Sequence, residues 1–561
     1  MLGTTDDVPA RMLPVRKRVS VVRFFDEPML TLARWVSERY VVPLAAVLKR
    51  LTPPRVVSEE GEPVGEGEVL RAADPTRPHA PDLALATAED LGPATPAILA
   101  DAYRNGSAVL EAIGERRAAG FVLRPAPEDE AALAVEMVAA CLAAGRRAIV
   151  LVPEARPVPA TAAAVLGAFG DRAVAFLGGD RRARYRTWLE VADGRGDVIV
   201  GTRPGVYAPV RDLGLIHVSR ESHPAHREDR APYSHVRDVA LQRTRVEGAT
   251  AVLSALCPSS EAASMGFPEV ATTSRRWPAV EIVAPGPEGR APRLVQALRR
   301  AGRGFIYSPL RGYGVAQVCR TCGAAATCSA CGGLLRIEDR VVRCVVCEAE
   351  GRCASCGGAS FGIRRGGAER IEEWAAAVAR SKVRRIERPR MPRDGEVLIG
   401  GPEVVRDLGP AGLDLVAIVD ADLAERRPGL NSRARAVSVW MEAVAWAQPS
   451  GRAIVQATRP RDPAIQAIVR GNPARFHEDD RSRRAEAGFP VAAPVFRVAG
   501  APGLEEHLLA FDPITLLTSA TGDQTICLLA LETDRLPRFG RTMRDLAARG
   551  EVTRVEAEPH L

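Results

Sequence analysis

The chain has 561 residues, a hydrophobic share of 46% and a net charge of +7. A chain of this length predicts roughly three to five domains, and the hydrophobic share is sufficient for each to form a core. No run of about 18 uncharged apolar residues occurs, so no membrane span is expected. The mild positive charge is compatible with nucleic-acid binding, although a general excess of arginine over lysine explains it equally well.

Near the N-terminus, an amphipathic pattern predicts one helix over residues 30–51, ended by Pro53 and Pro54. The next stretch, 56–115, begins rich in Glu, Pro and Gly and predicts a linker or a reduced domain. The first residues lack the apolar core of a secretory leader, so a cytoplasmic location is expected.

From residue 116 onward, two series of short, continuously apolar strands alternate with helices. The strands of the first series are predicted at 148–154, 198–203, 213–218 and 250–256. Those of the second are predicted at 304–309, 396–402, 413–423 and 452–458. Such strands are typical of buried parallel sheets. Two α/β lobes in tandem are the layout of a helicase motor, so we expect lobe one over 116–285 and lobe two over 286–460.

Eight cysteines interrupt the second series after its first strand. They form four Cys-x-x-Cys pairs, Cys319/Cys322, Cys328/Cys331, Cys344/Cys347 and Cys353/Cys356. Two such pairs supply the four thiolates that tetrahedral Zn²⁺ prefers, so four pairs predict two zinc ions. The other three cysteines, Cys141, Cys257 and Cys527, lie in apolar stretches. Free thiols of this kind are typical of a reducing compartment and argue against a disulfide framework.

The spacing of the pairs favours a nested arrangement of the two zinc sites. The second and third pairs are separated by 12 residues, which is ordinary zinc-ribbon spacing, whereas the outer loops have only five residues each. We therefore assign Cys328, Cys331, Cys344 and Cys347 to an inner zinc. The outer zinc takes Cys319, Cys322, Cys353 and Cys356. An interleaved pairing is the alternative.

The C-terminal region, 461–561, ends in a strand–helix–strand–strand–helix–strand pattern. This order predicts an α+β ferredoxin-like domain of about 65 residues.

Several stretches resemble the PriA family, the primosomal proteins that restart stalled replication forks. The cysteine segments 319–333 and 344–358 are similar to that family's double zinc insertion in helicase lobe two. Matches in the family's order follow at 198–216, 231–241, 366–374, 415–423 and 462–490. The resemblance implies two tandem RecA-like helicase lobes, a zinc insertion over 319–358 and a C-terminal domain.

The resemblance also implies partners and a nominal activity. Members of the family are ATP-dependent DNA helicases that act as monomers on forked or single-stranded DNA in the nucleoid. Their protein partners are the single-stranded-DNA-binding protein and the proteins that load the replicative helicase. No membrane partner is implied.

The phosphate-binding loop of the family does not match this sequence. Its position, 124–131, reads RPAPEDEA and contains two prolines, three acidic residues and no glycine. The lysine position falls on Glu130, and the position that holds Mg²⁺ falls on Ala131. A phosphate loop needs glycine amides and a cation. A carboxylate about 4 Å from a phosphate charge costs roughly 4 kcal/mol at a surface-like dielectric. Binding of ATP and Mg²⁺ is therefore not expected, and no catalytic residue is assigned.

Two further parts of the ATPase also depart from the family. The Asp-Glu-Glu-His motif that follows the strand 213–218 is replaced by Ser219, Arg220, Glu221 and Ser222. Glu221 alone is expected to be a solvated surface residue, and the nearby loop with His223 and His226 is expected to be exposed. The paired-arginine motif would lie near 442–452, where only Arg452 is close. Three independent losses predict a motor without activity.

The N-terminal region is reduced as well. The family begins with a domain that holds the 3′ end of a nascent strand, and only its last helix is recognisable here, within 1–55. The winged-helix domain that follows it in the family would correspond to 56–115.

We therefore expect a replication restart protein that recognises branched DNA and recruits the helicase-loading machinery without ATPase activity. Two alternatives remain open, namely an active 3′-to-5′ helicase and a zinc-dependent adaptor that never contacts DNA. Candidate phosphate contacts are Arg320, Arg336, Arg340, Arg343, Arg352 and the basic run 380–390. For any single arginine, a solvated charge is the simpler explanation.

Overall fold

The computed structural model describes residues 20, 22–60, 97–274, 276–285, 290–308, 315–322, 326–331, 333, 335–338, 341–344, 347–365, 368–409, 411–422, 429–521 and 523–559. The α-helices are α1 Glu27–Arg39, α2 Leu44–Leu51, α3 Ile98–Ala102, α4 Gly106–Gly114, α5 Glu130–Ala143, α6 Ala160–Phe169, α7 Arg181–Ala192, α8 Val236–Glu247, α9 Ser260–Ala263, α10 Pro292–Arg300, α11 Ala368–Val378, α12 Ser432–Val444, α13 Pro463–Arg470, α14 Ala474–Glu486, α15 Leu504–Leu509 and α16 Leu536–Ala548.

The strands of the two large sheets are β1 Tyr103–Arg104, β2 Ala119–Arg124, β3 Arg147–Leu151, β4 Ala173–Phe176, β5 Val198–Gly201, β6 Leu213–Val218, β7 Thr250–Ser254, β8 Glu269–Thr272, β9 Ala279–Val283, β10 Arg303–Tyr307, β15 Lys382–Arg385, β16 Glu396–Gly400, β17 Leu413–Ile418 and β18 Ala447–Gln456. The small sheets contain β11 Val315–Cys319, β12 Leu335–Glu338, β13 Val341–Cys344, β14 Phe361–Arg365, β19 Val495–Gly500, β20 Thr515–Thr521, β21 Gln524–Ala530 and β22 Val552–Ala557.

The first large sheet has the order β1-β8-β2-β7-β6-β3-β5-β4 and is parallel except for the pairing of β1 with β8. Its central strands are buried along their whole length, because apolar residues cover both faces. α4, α5 and α6 supply one cover, and α1, α2 and α8 supply the other.

The second large sheet has the order β15-β16-β10-β17-β18-β9, and all its strands run parallel. α10 and α11 cover one face, while α12, α13 and α14 cover the other. The two sheets confirm the predicted pair of tandem α/β lobes. Because β9 belongs to the second sheet, the division between the sheets falls between 272 and 279, a few residues before the expected 285.

The cysteine segment is inserted between β10 and α11 of the second lobe. β11 pairs with β14, and β12 pairs with β13, each as an antiparallel two-stranded sheet, and the second pair lies within the loop that joins the first. The segment therefore forms a small body of its own, whose core is made largely of cysteines.

The C-terminal domain has four antiparallel strands in the order β20-β21-β19-β22, with α15 and α16 as the connecting helices. This is the predicted ferredoxin-like unit. Phe496 of β19 and Phe539 of α16 pack with ring centroids 4.9 Å apart, and this core is continuous with that of lobe one.

The single N-terminal helix expected over 30–51 is wrong in its middle. The chain forms α1 and α2 with a break at Tyr40–Pro43, where Val41 adopts a left-handed φ of 54°. Proline lacks an amide proton and disfavours the helical conformation in the residue before it, so the helix stops and restarts there. α1 packs against α8 and α16 and joins lobe one to the C-terminal domain.

The expected linker or winged-helix region, 56–115, is described only in part. Its stretch 61–96 lies outside the described residues. Its last part differs from a linker, because α3, β1 and α4 pack onto lobe one and β1 pairs with β8. No helix in the described ranges combines the length and apolarity needed to cross a bilayer.

Candidate zinc centres and the cleft between the lobes

The structure gathers the eight cysteines of the insertion into two groups of four. The outer group is Cys319, Cys322, Cys353 and Cys356, and the inner group is Cys328, Cys331, Cys344 and Cys347. Within each group the sulfur atoms all lie within 4.8 Å of one another. This is the nested grouping that the loop lengths favour.

The geometry of each group fits a tetrahedral metal site. Sulfur–sulfur distances of 3.4 Å for Cys319–Cys356 and 3.3 Å for Cys331–Cys344 are far longer than a disulfide bond. Two sulfurs bound about 2.3 Å from a tetrahedral zinc stand roughly 3.8 Å apart, close to the values observed. The two clusters therefore fit two zinc ions.

Local folding positions these sulfurs. Cys319 ends β11 and Cys344 ends β13, so each ladder delivers one thiol to a cluster. An isolated bridge between Cys328 and Cys353 joins the inner cluster to the outer one. In every pair one cysteine is buried and the other exposed. By contrast, Cys141 is buried in the apolar core of lobe one, as expected for a free thiol.

In lobe one, the residues that stand where the family has a phosphate loop form a closed turn between β2 and α5. The Ala126 amide donates to the Tyr103 hydroxyl at 2.8 Å, and that hydroxyl donates to Asp129 at 2.7 Å. Arg276 forms an ion pair with Asp129 from outside. The amide of Ala126 is thus used within the protein, and Ala126 is only 2% exposed.

Glu130 begins α5 and points to the end of β6. Its carboxylate accepts a hydrogen bond from Ser219 at 2.7 Å and a longer one from Ser254 at 3.4 Å. Burial, together with repulsion from Asp407, raises the pKa of Glu130 to about 7. Ala131 follows in the first turn of the helix.

The contact between Glu130 and Ser219 is not visible in either motif taken alone. In the family these positions carry a lysine and an aspartate; here they carry an acid and a hydroxyl that bond to each other. The sequence offers one signal for this contact: position 130 lacks the family's cation and position 219 lacks its anion.

Arg220 and Glu221, which follow Ser219 after β6, are also buried, against expectation for Glu221. Glu221 is fully buried and accepts hydrogen bonds from Arg237 at 3.0 Å and from the Ser259 hydroxyl at 2.7 Å. The prediction of a solvated Glu221 is therefore wrong, because α8 and the turn before α9 close over it.

His223 and His226 are buried although Pro224 between them is exposed, so the loop reaches the surface but the expectation that its histidines are exposed is wrong. His226 donates from its Nε2 to the Ser219 carbonyl at 2.8 Å. Burial lowers the pKa of His226 to about 4 and that of His223 well below its ordinary value. Both rings are therefore neutral at pH 7.

Arg220 reaches across to lobe two. Its guanidinium donates from Nε to Glu442 of α12 at 2.9 Å, forms a second hydrogen bond with the same carboxylate, and donates to the Val405 carbonyl at 3.3 Å. Arg452, the residue nearest the expected paired-arginine motif, lies exposed on β18.

The candidate DNA contacts differ in what the structure shows. Arg320, Arg343 and Arg352 are exposed on the cysteine insertion. Arg340 and the side chain of Arg336 lie outside the described residues. In the run 380–390, Arg380, Lys382 and Arg388 are exposed, whereas Arg390 forms a two-bond ion pair with Glu396.

The strand orders and the motif positions together define the class of fold. Two tandem RecA-like α/β lobes, with the nucleotide-site positions facing the space between them, are a helicase body. The double four-cysteine insertion narrows that class to helicase-like proteins with two metal sites in the second lobe.

Curated relatives of the chain are PriA replication restart proteins. The chain is 28% identical over 452 residues to the probable replication restart protein PriA of Mycobacterium leprae, covering 73% of this chain and 69% of the relative. It is 25% identical over 517 residues to replication restart protein PriA of Treponema pallidum, covering 84% and 74%. These relatives confirm the resemblance drawn from the motifs: the chain is a homologue of the PriA replication restart proteins. No family model matches it.

Similarity to solved structures is weak. The DExH-box NTPase HrpB of E. coli matches with a TM-score of 0.34 and 12% identity, covering 66% of this chain and 43% of that one. The DUF1998 helicase MrfA bound to DNA matches with a TM-score of 0.36 and 11% identity, covering 77% and 61%. Scores this low carry no argument, and the fold assignment rests on the strand orders.

Proposed function

We propose that this protein acts in replication restart as a DNA-recognition scaffold that neither binds nor hydrolyses ATP. It recognises forked or single-stranded DNA and recruits the single-stranded-DNA-binding protein and the proteins that load the replicative helicase. The observation that carries the proposal is the hydrogen bond from Ser219 to Glu130, which joins the two positions where the family has its phosphate-binding lysine and metal-binding aspartate.

Three features of the cleft disfavour a bound triphosphate. Glu130 would place a buried carboxylate at the position of a phosphate-binding lysine. The Ala126 amide already donates to Tyr103. Ser219 offers Mg²⁺ no carboxylate. For the ionised form of Glu130, repulsion of roughly 4 kcal/mol between a carboxylate and a phosphate charge about 4 Å apart corresponds to about a thousandfold loss of affinity.

Zinc serves this scaffold structurally. The inner ion would be held by Cys328, Cys331, Cys344 and Cys347, and the outer ion by Cys319, Cys322, Cys353 and Cys356. Closed four-thiolate sites supply folding free energy rather than a reaction centre. The ligand sulfurs come from turns and strand ends with little other core, so the insertion depends on the metal for its fold.

The DNA-binding part of the proposal is supported by exposed cations on lobe two. Arg320, Arg343 and Arg352 lie on the insertion, and Arg380 and Lys382 lie on or beside the edge strand β15. Contacts of arginine and lysine with phosphates position a duplex without reading its sequence. Binding of this kind weakens steeply as salt rises.

The test combines hydrolysis and binding on the same zinc-loaded protein. ATP turnover is measured with and without forked DNA, and fluorescence anisotropy follows binding of the same fork over a range of salt. We expect fork binding at low salt and no DNA-stimulated turnover. The variant Glu130→Ala identifies contaminating ATPase, since contamination is unaffected by it. DNA-stimulated turnover that changes in Glu130→Ala would show an active motor, and absence of fork binding at low salt would show a protein adaptor.

A further inference from the structure

Side chains of the two lobes contact each other across the cleft. A loss of ATP binding alone does not explain these contacts. We propose that these contacts fasten the two lobes in a single closed arrangement, with Arg220 and Glu442 as the central positioning pair. The inference rests on the proposed function and adds that the helicase-shaped body acts as one rigid platform.

The central pair is buried and bidentate. Arg220 and Glu442 have side chains that are 6% and 10% exposed, and the guanidinium makes two bonds to the carboxylate. Arg220 also donates to the Val405 carbonyl of lobe two. A paired, fully hydrogen-bonded charge can stay buried, whereas either partner alone cannot without a large desolvation cost.

The backbone at Arg220 supports a positioning role. Its φ is +51°, in the left-handed region that side chains other than glycine and asparagine rarely adopt. Strain of this kind persists only where surrounding contacts fix it, and here it accompanies a side chain that crosses to the other lobe.

Further contacts run on both sides of the pair. In one direction Glu154 of lobe one forms an ion pair with Arg406, and Asp407 accepts from the Thr161 amide at 2.9 Å. This aspartate therefore binds the first turn of α6 in lobe one.

In the other direction, hydroxyl and charged groups continue the seam. Ser222 and Ser438 lie 2.8 Å apart through their hydroxyls, Ser260 donates to Asp480 at 2.6 Å, and Arg484 donates to Glu261 at 2.9 Å. The lobes are thus joined along the cleft by polar groups whose partners are already in place.

A motor needs a ligand that binds one arrangement of its lobes better than another, because a ligand shifts an equilibrium only by its differential affinity. In this chain the nucleotide-site positions hold side chains that bond to each other or to the other lobe, and these bonds need no ligand. The closed arrangement is therefore the resting and the DNA-bound arrangement alike.

The test measures the distance between lobes in the full-length, zinc-loaded protein. Ala183 of α7 and Arg299 of α10 are exposed and are each replaced by an azide-bearing amino acid. Dyes are attached there without touching the cysteines, and single-pair energy transfer is recorded. We expect one narrow distance population, unchanged by forked DNA or by ATP with Mg²⁺.

Variants then assign the fastening. Arg220→Ala combined with Arg406→Ala is expected to add a second, longer-distance population. The matched control, Arg452→Ala with Arg470→Ala, removes two exposed arginines and leaves one population. In the Arg406→Ala background, Arg220→Lys keeps a cation beside Glu442 and is expected to restore most of the single population relative to Arg220→Ala, which a merely destabilised protein would not do.

Two results would overturn the inference. One is a wild-type distance that switches between two values or shifts on adding the fork. The other is a single closed population in the variant that lacks both arginines. Neither result depends on ATP hydrolysis. If the lobes move but no ATPase activity is found, the fastening is disproved and the proposed scaffold function stands. If DNA-stimulated ATP turnover is found, the proposed scaffold function itself is disproved.

Discussion

The cysteine insertion and the cleft between the lobes belong to the same helicase-like body, but they compare with the PriA family in opposite ways. The insertion retains all eight thiols in two groups that a metal ion fits. The cleft retains the strands and helices that would surround a nucleotide, while its polar positions now bond to one another. This difference is the one that the proposed function requires, because a scaffold that recognises DNA would need the first region and would not use ATPase chemistry in the second.

The two regions differ in what satisfies their polar groups: a metal ion in the insertion, and other side chains of the same protein in the cleft. In the insertion four thiols need a cation, so the structure depends on something outside the chain. In the cleft Glu130, Ser219, Arg220 and Glu442 satisfy each other, so no outside partner is needed. The following predictions test the two halves of this comparison, beginning with the largest effect.

Removal of one ligand from the inner cluster should have the largest consequence. Cys344→Ser is expected to lower the zinc content from two ions to one and to unfold the insertion, because structural zinc contributes on the order of 10 kcal/mol to small metal-dependent folds. Metal analysis of the purified protein checks this. The control, Cys141→Ser, changes a buried thiol outside the clusters and should retain both ions. Equal zinc content in the two variants would contradict the assignment.

Breaking the central pair of the cleft should come next. Glu442→Ala leaves the Arg220 guanidinium buried and unpaired, which costs about 3–5 kcal/mol. A lowered thermal unfolding midpoint of the lobes checks this, and Ser438→Ala, which removes only the hydroxyl contact, should cost about 1 kcal/mol. Similar midpoints for the two variants would mean that the pair is open to solvent.

The buried carboxyl of Glu130 should make stability depend on pH. Burial and the nearby Asp407 raise its pKa from 4.5 to about 7, while Arg220 acts in the opposite direction. Between these values the folded state binds a proton that the unfolded state has released, so this contribution is present below pH 4.5 and disappears as pH rises through 7. A pKa difference of this size corresponds to roughly 3 kcal/mol.

Glu130→Gln removes this titration and keeps an acceptor for Ser219. We expect the variant to match the wild type near pH 5 and to be more stable at pH 8, by up to roughly 3 kcal/mol. Thermal unfolding at the two pH values measures the difference. A variant that is less stable than the wild type at pH 8 would show that the ionised carboxylate is favourable in the fold.

The smallest predicted effect concerns DNA and leaves stability unchanged. Replacing Arg320, Arg343 and Arg352 by alanine should lower the slope of log K against log salt by about 1 for each arginine that binds a phosphate. Arg182→Ala with Arg186→Ala is the control, because both arginines are exposed but already paired with Glu59. An unchanged slope in the triple variant would place the DNA elsewhere on the molecule.

Local patterns in the sequence are sufficient to predict much of this structure. Apolar runs locate four strands of each lobe and miss β1, β2, β4, β8, β9 and β15, while the short loops of the insertion indicate how the cysteines group. The C-terminal strand and helix order predicts its sheet. Each of these depends on residues close together in the chain or on a repeated period.

The bonds that join distant residues cannot be found in this way. Arg220 and Glu442 are separated by 222 positions, and nothing near either residue indicates the other. Glu221 is expected in solvent because an acid after a strand usually lies there, whereas Arg237 and Ser259 bury it. The break at Pro43 is a local signal that the apolar spacing obscures.

Direct measurement of nucleotide binding tests the central claim, that the chain's own side chains close the nucleotide site. Equilibrium dialysis of labelled ATP with Mg²⁺ against the zinc-loaded protein, with and without forked DNA, gives the bound fraction whether or not any hydrolysis occurs. We predict no saturable binding at ATP concentrations up to about 1 mM. A Kd of about 1 mM corresponds to a binding free energy of about −4 kcal/mol. Saturable binding of one ATP per chain would contradict the account, because Glu130 and Ser219 would then have to separate to admit it.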